Sequence, residues 1–342
     1  MSQVSRLYDR QGGSPHVGDH ATGVLASTVP HSDLLPTYSP DAQLGYAYAR
    51  FANTDQQFIG VSAGGVLARS NVATGGAVWE WWWAGLQFVN DYDYGRQMQS
   101  AAYFNGYSLS EAGDEYGGST INVDVRHPSP IALATTSGNT QSTLAVPLEY
   151  FPERFGGGPA NPVIYPDATI GKNLTLDWVG PDGVDRNWPV AVYETHVNVP
   201  APVVEAIVEA PTAYIDSTFH YYYKMTNFTT GATTPIATVP LQATNVSAGG
   251  VQAIILSSAA STSPNAAAMG VLISDPNAGL VIYDNASGAS PGQYGSNFAK
   301  WEVHYDSALA PGWKFKTWIV TDTYANVVAD LVQLAKWGLS SR

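Results

Sequence analysis

The sequence contains no cysteine and few basic residues. Its 342 residues include 15 Lys and Arg against 28 Asp and Glu, which gives a formal net charge of −13 at pH 7. Without cysteine, the chain can form neither a disulfide framework nor a catalytic thiolate. Phosphate binding depends on clustered Lys and Arg, and the sequence has no basic stripe, so we expect no nucleic-acid partner. A neutral ligand fits this charge balance better.

Long apolar stretches are also missing. No run reaches the ~18 residues that a membrane-spanning helix needs, so we expect no membrane partner. Residues 1–13 lack the basic and then apolar pattern of a signal peptide. Scarce lysine combined with abundant Gly, Ser, Thr, Asn, Trp and Tyr is typical of exported bacterial proteins. We therefore expect an extracellular or periplasmic protein whose signal peptide is not part of this sequence.

Short apolar or alternating stretches, separated by Gly, Pro, Asn and Asp, fill most of the chain. Examples are Tyr46–Phe51, Ala77–Trp83, Pro189–Val199, Val251–Ser257 and Leu280–Tyr283. Many short strands with turns between them predict an all-β fold, here an antiparallel β-sandwich. Residues 1–40 lack periodicity and are interpreted as an N-terminal arm, and residues 41–342 as a single sandwich domain.

One helix is predicted near the C-terminus, over about residues 323–337. Its apolar residues recur at helical spacing and form one stripe: Val327, Val328, Leu331, Leu334 and Trp337. Asp322 or Thr323 can cap its start. We expect this helix to pack against the edge of the sandwich.

The densest run of candidate ligand-binding side chains lies between residues 75 and 99. Aromatic rings stack on the C–H faces of sugars, while Asp, Arg and Gln side chains hydrogen-bond to vicinal hydroxyls. We therefore predict an oligo- or polysaccharide site whose substrate-binding residues are Trp81, Trp83, Arg96, Gln97 and Gln99, with Asp91 and Asp93 as candidate catalytic residues. The alternative is that the tryptophans belong to the core and that Arg96 pairs with one of the aspartates.

This segment resembles part of the galactose mutarotase-like β-supersandwich superfamily. It has a Gly-Gly-x-Val strand at residues 75–78 and an Asn-Asp-x-Asp-x-Gly-Arg-x-x-Gln block at residues 90–99. Residues 219–229 are similar to the central strand of that superfamily, with its Thr-Asn-x-Thr turn. The resemblance implies a supersandwich that acts on carbohydrate, as aldose epimerases, glycoside hydrolases and polysaccharide lyases do. The Asn-Arg pair typical of aldose epimerases is absent, which leaves hydrolase or lyase chemistry open.

Two Glu-x-His pairs are candidates for acid–base catalysis. Glu194 and His196, and likewise Glu302 and His304, lie two residues apart in strand-like segments, so each pair shares one strand face. A carboxylate can orient a histidine, which titrates near neutrality, and the two can then act as base and acid. The resemblance implies a catalytic Glu on a late strand, which corresponds to Glu302. The alternative is that both pairs are ordinary polar residues on a solvent-facing surface.

Further candidates lie in a carboxylate-rich loop and in a Tyr-rich strand. Glu111 belongs to the Gly-rich loop at residues 110–118 and is a candidate acid or base, because glycines let such a loop approach a ligand. The alternative is a solvated loop that holds a structural Ca²⁺. His220 and Tyr222 are candidates for substrate binding. No close-spaced metal motif is present, and we expect neither a catalytic metal nor another cofactor.

These features predict a carbohydrate-active enzyme that cleaves a glycan, with a glycoside hydrolase favoured over a polysaccharide lyase. The scarcity of cations favours a neutral sugar over a uronate. The alternatives are a non-catalytic carbohydrate-binding protein, an epimerase on the same fold, and a structural β-sandwich of a surface layer or virion. The sequence predicts neither the sugar linkage nor the oligomeric state.

Overall fold

We describe the protein from a computed structural model. The described residues are 37–41, 46–50, 57–62, 64–71, 74–89, 97–114, 128–157, 162–184, 186, 188–238, 242–246, 250–284 and 298–342. Of the predicted arm at residues 1–40, only residues 37–40 fall within this set, where they belong to a strand. Among the described helices, none is both long enough and apolar enough to cross a membrane.

Strands account for most of the described secondary structure. In chain order they are β1 (Thr37–Asp41), β2 (Tyr46–Arg50), β3 (Gln57–Val61), β4 (Leu67–Asn71), β5 (Val78–Trp83), β6 (Leu86–Gln87), β7 (Gln99–Phe104), β8 (Tyr107–Ser110), β9 (Ile131–Ser137), β10 (Thr140–Ala145), β11 (Leu148–Glu149), β12 (Thr169–Thr175), β13 (Val190–Asn198), β14 (Ile207–Asp216), β15 (Tyr221–Asn227), β16 (Ala232–Pro235), β17 (Ala243–Asn245), β18 (Val251–Ser257), β19 (Ala267–Ser274), β20 (Ala278–Asp284), β21 (Phe298–Asp306) and β22 (Trp313–Thr323). A short 3₁₀ turn covers Pro152–Phe155, and the helix α1 covers Tyr324–Lys336.

The strands form two large sheets and two small ones. The nine-stranded sheet has the order β16-β15-β18-β19-β22-β13-β12-β10-β9, and the seven-stranded sheet has the order β11-β8-β7-β14-β21-β20-β17. The small sheets are β3-β4-β5-β6 and β1-β2. Neighbouring strands pair antiparallel, as in β13 with β22 and β14 with β21. The prediction of an all-β antiparallel sandwich is confirmed.

The two large sheets pack face to face around one apolar core. Tyr193 and Val197 of β13 share this core with Trp301 and Val303 of β21, and all four side chains are buried. Because successive strand side chains point to opposite faces, the alternate residues of β21 lie on the outer face of the seven-stranded sheet. That outer face carries the candidate site described below.

The helix α1 covers the outer face of the nine-stranded sheet. Its N-cap is Thr323, whose hydroxyl accepts a hydrogen bond from the backbone N–H of Asn326 at 3.4 Å. Its apolar stripe packs against a second cluster of buried residues from β18, β19 and β22. A Cβ placed on Gly270 would lie 2.6 Å from Val327, so glycine at this position allows the close approach. The prediction of the helix is confirmed, but it packs on central strands rather than at the sandwich edge, because these strands present apolar residues on both faces.

Candidate active site

A cluster of ionisable side chains lies on the outer face of the seven-stranded sheet. We call it the outer-face cluster, and its members are Tyr103, Glu209, Lys300, Glu302 and His304. The Lys300 ammonium lies 2.8 Å from Oε2 of Glu302 and 3.4 Å from Oε1 of Glu209. The Tyr103 hydroxyl donates to Oε1 of Glu209 at 3.0 Å, and Nδ1 of His304 lies 3.2 Å from Oε1 of Glu302. One lysine therefore joins two carboxylates, each of which has a further polar partner.

Strand register brings these five residues together. Lys300, Glu302 and His304 alternate along β21, so they share one face. On β14, the neighbouring strand, Glu209 pairs with His304, and the register then shifts between Glu209 and Thr212. The same shift occurs in the pairing of β14 with β7. Such irregularities are over-represented next to active sites, where they redirect a side chain.

The carboxyl of Glu302 is held in its ionised form. Burial raises its pKa, but Coulombic attraction to Lys300 and the hydrogen bond with His304 outweigh burial and lower the pKa to about 2. Only 5% of the Glu302 side chain is exposed. Glu302 is thus an unprotonated carboxylate across the whole physiological pH range.

The carboxyl of Glu209 is shifted in the opposite direction. Burial raises its pKa, attraction to Lys300 lowers it, repulsion from Glu302 raises it again, and the net shift is upward. The Tyr103 hydroxyl donates to this carboxyl, and the negative charge of Glu209 raises the pKa of Tyr103 well above its usual value. Two carboxyl groups with opposite pKa shifts therefore lie on one lysine.

The remaining two members of the cluster favour their protonated forms. The hydrogen bond to Glu302 raises the pKa of His304. Burial lowers the pKa of Lys300, but the charges of Glu209 and Glu302 outweigh this and raise it. The rings of Tyr283 and Tyr214 flank the Lys300 ammonium, with centroids at 5.0 Å and 5.5 Å. About a third of the His304 side chain, 36%, remains exposed, so the cluster meets solvent at this histidine.

The other predicted pair, Glu194 and His196, lies on the outer face of the nine-stranded sheet. Nε2 of His196 is 2.7 Å from Oε1 of Glu194, and Asn173 lies within hydrogen-bond distance of both. The hydrogen bond with His196 is the main cause that lowers the pKa of Glu194 to about 2. Lys314 and Lys316 approach the same carboxylate at 3.6 Å and 3.8 Å. Among the described residues, these contacts bring no second carboxylate to the pair.

Glu111 lies in the interior between the two large sheets rather than on a loop facing a ligand. It is completely buried and forms a 2.6 Å ion pair with Lys172, which is also completely buried. Tyr193, Thr143 and the backbone N–H of Ser100 donate further hydrogen bonds to it. Because no solvent or ligand reaches this carboxylate, its position does not support the predicted role as acid or base.

The predicted tryptophan platform is wrong for Trp81. Its side chain has 0% exposure, belongs to the main core and donates from Nε1 to the Thr321 hydroxyl at 2.9 Å. Trp83 is half-buried and packs against the same core. Trp81 therefore joins the four-stranded sheet to β22 from within the core, and its ring is closed to a ligand.

Gln97 and Gln99 are buried as well. Oε1 of Gln99 accepts hydrogen bonds from the Ser110 hydroxyl at 2.7 Å and the Ala112 backbone N–H at 2.9 Å. These bonds tie the start of β7 to the end of β8, so this amide oxygen serves the fold. Gln97 is 2% exposed, which places it in the interior. The predicted ligand residues Asp91, Asp93 and Arg96 lie outside the described residues.

His220 and Tyr222 do not join the outer-face cluster. His220 is exposed, with Nδ1 3.0 Å from the Ser217 carbonyl, and its ring lies 4.5 Å from that of Tyr221. Tyr222 is 5% exposed and donates to Oδ1 of Asp284 at 3.0 Å. Burial raises the pKa of Tyr222. Their substrate-binding roles stay predictions.

The sequence reasoning missed Tyr103, Glu209 and Lys300. For Lys300 a signal existed, because it continues the alternation of Glu302 and His304 toward the start of β21. For Glu209 and Tyr103 the sequence carries no comparable signal, since their places depend on which strands become neighbours of β21. The described residues contain no group of three or more His, Cys, Asp or Glu side chains that could hold a metal ion.

The comparisons with known proteins give only distant structural matches. No family model matches the sequence, and no curated protein matches it in sequence. A 4-alpha-glucanotransferase structure from Thermococcus litoralis matches at 10% identity and a TM-score of 0.41, over 80% of this chain and 38% of that chain. An alpha-galactosidase structure from Geobacillus stearothermophilus matches at 10% identity and a TM-score of 0.40, over 80% and 42%. This chain therefore spans less than half the length of these two proteins.

A smaller protein also matches over most of its length. The structure of a candidate mutarotase from Salmonella typhimurium shares 8% identity with a TM-score of 0.33, over 79% of this chain and 92% of that chain.

Proposed function

We propose that the protein is a carbohydrate-active enzyme that cleaves a glycan, a glycoside hydrolase whose active site is the outer-face cluster. One observation carries the proposal: Glu209 and Glu302 contact the same Lys300 ammonium, yet the pKa of Glu209 is raised and that of Glu302 is lowered to about 2. A pair of carboxyl groups with pKa values pushed apart is the arrangement that glycosidic cleavage uses, one group as acid and the other as base or nucleophile.

The roles follow from the opposite directions of the two pKa shifts. Glu209, whose pKa is raised by burial, is the group that donates a proton to the glycosidic oxygen as the bond to the leaving sugar breaks. Because both carboxylates contact one ammonium, their nearest oxygens lie within about twice a hydrogen-bond length of each other. Retaining glycosidases place their carboxyl groups about 5 Å apart, closer than inverting enzymes do. We therefore assign Glu302 as the nucleophile that attacks the anomeric carbon, and Glu209 as the group that later takes a proton from the attacking water.

The charge of the site supports a neutral sugar as substrate. Two carboxyl groups face one lysine and one histidine, so the site offers no surplus of cations to bind a uronate. Conversion of a uronate by a lyase would need such cations to neutralise the sugar carboxylate. The proposal of an extracellular or periplasmic location rests on composition, because the chain combines many small polar residues with only 13% charged residues.

The test is a panel of neutral and uronate-containing polysaccharides, with the release of reducing ends as the readout. We expect cleavage of a neutral polysaccharide by the wild-type protein and none by the Glu209→Gln/Glu302→Gln double variant, prepared in the same way to expose contaminating glycosidases. Binding of a glycan without cleavage would instead establish the carbohydrate-binding alternative. If the folded wild-type protein neither binds nor cleaves any glycan, the carbohydrate function is wrong.

A further inference from the structure

A groove of about 590 Å³ opens where β7 ends and β14 begins. It is formed by the turn between β7 and β8, by Tyr165, and by residues 199–205. Sites for small ligands occupy ~300–1,000 Å³. The groove is therefore large enough to hold one or two sugar units.

Phe104 and Tyr165 line one side of this groove, and an aromatic ladder continues from them, beside the groove, through Tyr107 to Phe155. Phe104 and Tyr165 meet edge to face at 5.6 Å, and Tyr165 meets Tyr107 at 4.8 Å. Tyr107 in turn stacks on Phe155, which is 41% exposed, at 4.4 Å and an interplanar angle of 6°. Phe104 is 4% exposed and belongs to the core, whereas the half-buried Tyr165 and the exposed Phe155 can offer flat apolar faces to the C–H surfaces of sugar rings.

The opposite side is a short segment that is held in place. The N–H and C=O of Val203 exchange hydrogen bonds with Leu309, both at 2.9 Å, and Pro200 and Pro202 restrict the backbone before it. Val204 is 83% exposed beside them. A wall that is already ordered costs little entropy when a ligand binds.

The polar groups of the groove suit a neutral ligand. The Asn105 side-chain amide lies 3.5 Å from the Tyr165 hydroxyl, and both can exchange hydrogen bonds with sugar hydroxyls. Glu205 is the single charged residue among the groove's lining residues. A uronate would therefore find a carboxylate and no cation there.

The groove begins one residue beyond the outer-face cluster along β7. Tyr103, which donates to Glu209, is followed directly by Phe104 and Asn105 of the groove. Phe104 points into the core, so the groove residue that follows Tyr103 at the surface is Asn105, in the turn after β7. A glycan that extends from Glu209 to the groove would therefore pass Tyr103 and Asn105.

We propose that the groove is a binding subsite for a neutral glycan chain, so that the enzyme acts on oligo- or polysaccharides in preference to disaccharides. The inference rests on the proposed function and names the substrate class of that site. The aromatic ladder binds sugar units next to the one at Glu209, and binding energy gained there is available to longer substrates alone.

Binding measurements by calorimetry test the subsite. The probes are cello-, malto- and xylo-oligosaccharides of two and six units, bound to the Glu302→Gln variant so that none is cleaved. We expect the six-unit member of one series to bind at least about tenfold more tightly than its disaccharide, a difference of about 1.4 kcal/mol. Adding Tyr165→Ala should reduce this preference to about twofold or less and leave disaccharide affinity unchanged. Ala201→Arg, an exposed substitution that fills the groove, should act in the same way.

The matched control is Tyr221→Ala, which removes an exposed tyrosine of β15 that does not line the groove. It should keep the full length preference. An equal affinity for two and six units, or a preference that survives both groove variants, would overturn the subsite while leaving the hydrolase proposal intact. A length preference that depends on the groove, in a wild-type protein that cleaves nothing, would support the subsite and overturn the hydrolase. No binding of any probe overturns the subsite.

Discussion

The protein carries the same Glu-x-His pattern on two strands, β13 and β21, in different surroundings. In both pairs the carboxylate and the imidazole touch, at 2.7 Å in Glu194–His196 and 3.2 Å in Glu302–His304. In both, the pKa of the glutamate is lowered to about 2. The local chemistry of the two pairs is therefore nearly identical.

The two pairs differ in the charged side chains around them. The additional charges around Glu194 are two exposed lysines, Lys314 and Lys316, whose side chains are 57% and 42% exposed. Beside Glu302 lies Lys300, whose side chain is 13% exposed and which also contacts Glu209. A strand period can place a carboxylate beside a histidine, but the second carboxyl group beside Lys300 comes from the next strand. The comparison teaches that cross-strand partners, rather than the motif, decide which pair gains a second carboxyl group.

The largest effect that we expect comes from Glu302→Gln measured against Glu194→Gln. The amide keeps the size of the side chain but cannot act as base or nucleophile, so Glu302→Gln should lower kcat by about 10²–10⁴. Glu194→Gln should stay within about twofold of wild type. Steady-state kinetics on a cleaved glycan measure both, with circular dichroism as the control for folding. An equal loss of kcat in both variants would show that the two Glu-x-His pairs do not differ in their contribution to catalysis.

The second test concerns Glu209, the proposed acid, which has no counterpart beside the Glu194–His196 pair. Because the pKa of Glu209 is raised, kcat/KM of the wild-type protein should fall as the pH rises through that pKa, when Glu209 loses its proton. Glu209→Gln should lower kcat about 10²-fold and abolish this alkaline limb. A pH–rate profile of each protein gives the result. An unchanged alkaline limb in the variant would exclude Glu209 as the acid.

A smaller effect is expected on stability in acid. Both glutamates have folded-state pKa values below the usual 4.5, so their contribution is present above pH 4.5 and is lost as the pH falls toward about 2. At pH 7, Glu302→Gln should lower the free energy of unfolding by about 1–3 kcal/mol. Glu194→Gln should lower it by about 1 kcal/mol or less, since its lysine partners are solvent-screened.

Urea unfolding at pH 7 and pH 3 checks this expectation. Both variants should lose less stability than the wild-type protein between the two pH values. If Glu194→Gln lowers the free energy of unfolding at pH 7 more than Glu302→Gln does, then Glu194, and not Glu302, is the carboxylate that contributes more to stability.

The smallest effect is expected from Asp330 on the helix α1, which covers the nine-stranded sheet. Burial and the charge of Asp322 raise its pKa to about 7. Because its folded-state pKa is raised, the stability that the protonated Asp330 carboxyl contributes below about pH 4 is lost as the pH rises toward 7. Asp330→Asn should therefore raise Tm at pH 8 by a few degrees, about 1 kcal/mol in a partly exposed setting, and leave it nearly unchanged at pH 4.

The control for this variant is Asp167→Asn, at an exposed aspartate outside the helix. It should leave Tm unchanged at both pH values. A lower Tm of Asp330→Asn at pH 8 would show that the ionised carboxylate stabilises the helix.

The sequence determined the elements of this protein and the faces of its strands. Alternation and turn residues predicted the sandwich, and the stripe from Val327 to Leu334 predicted α1, because both depend on side chains that are near in sequence. For the same reason, the sequence could place Glu302 beside His304 and Glu194 beside His196. Local spacing does not distinguish a buried tryptophan from an exposed one. Trp81 is buried because it packs into the core, where its indole N–H donates to Thr321 of β22.

The tertiary structure decided which of these faces gained a second carboxylate. Glu209 is 93 residues away from Glu302 along the chain, and it reaches the same lysine because β14 pairs with β21 through a shifted register. The position of Glu111 also depends on tertiary structure. The packing of the two large sheets buries its carboxylate against Lys172, away from solvent. Strand order and sheet packing arise from contacts between distant segments, and these set the burial and the charge that decide each pKa.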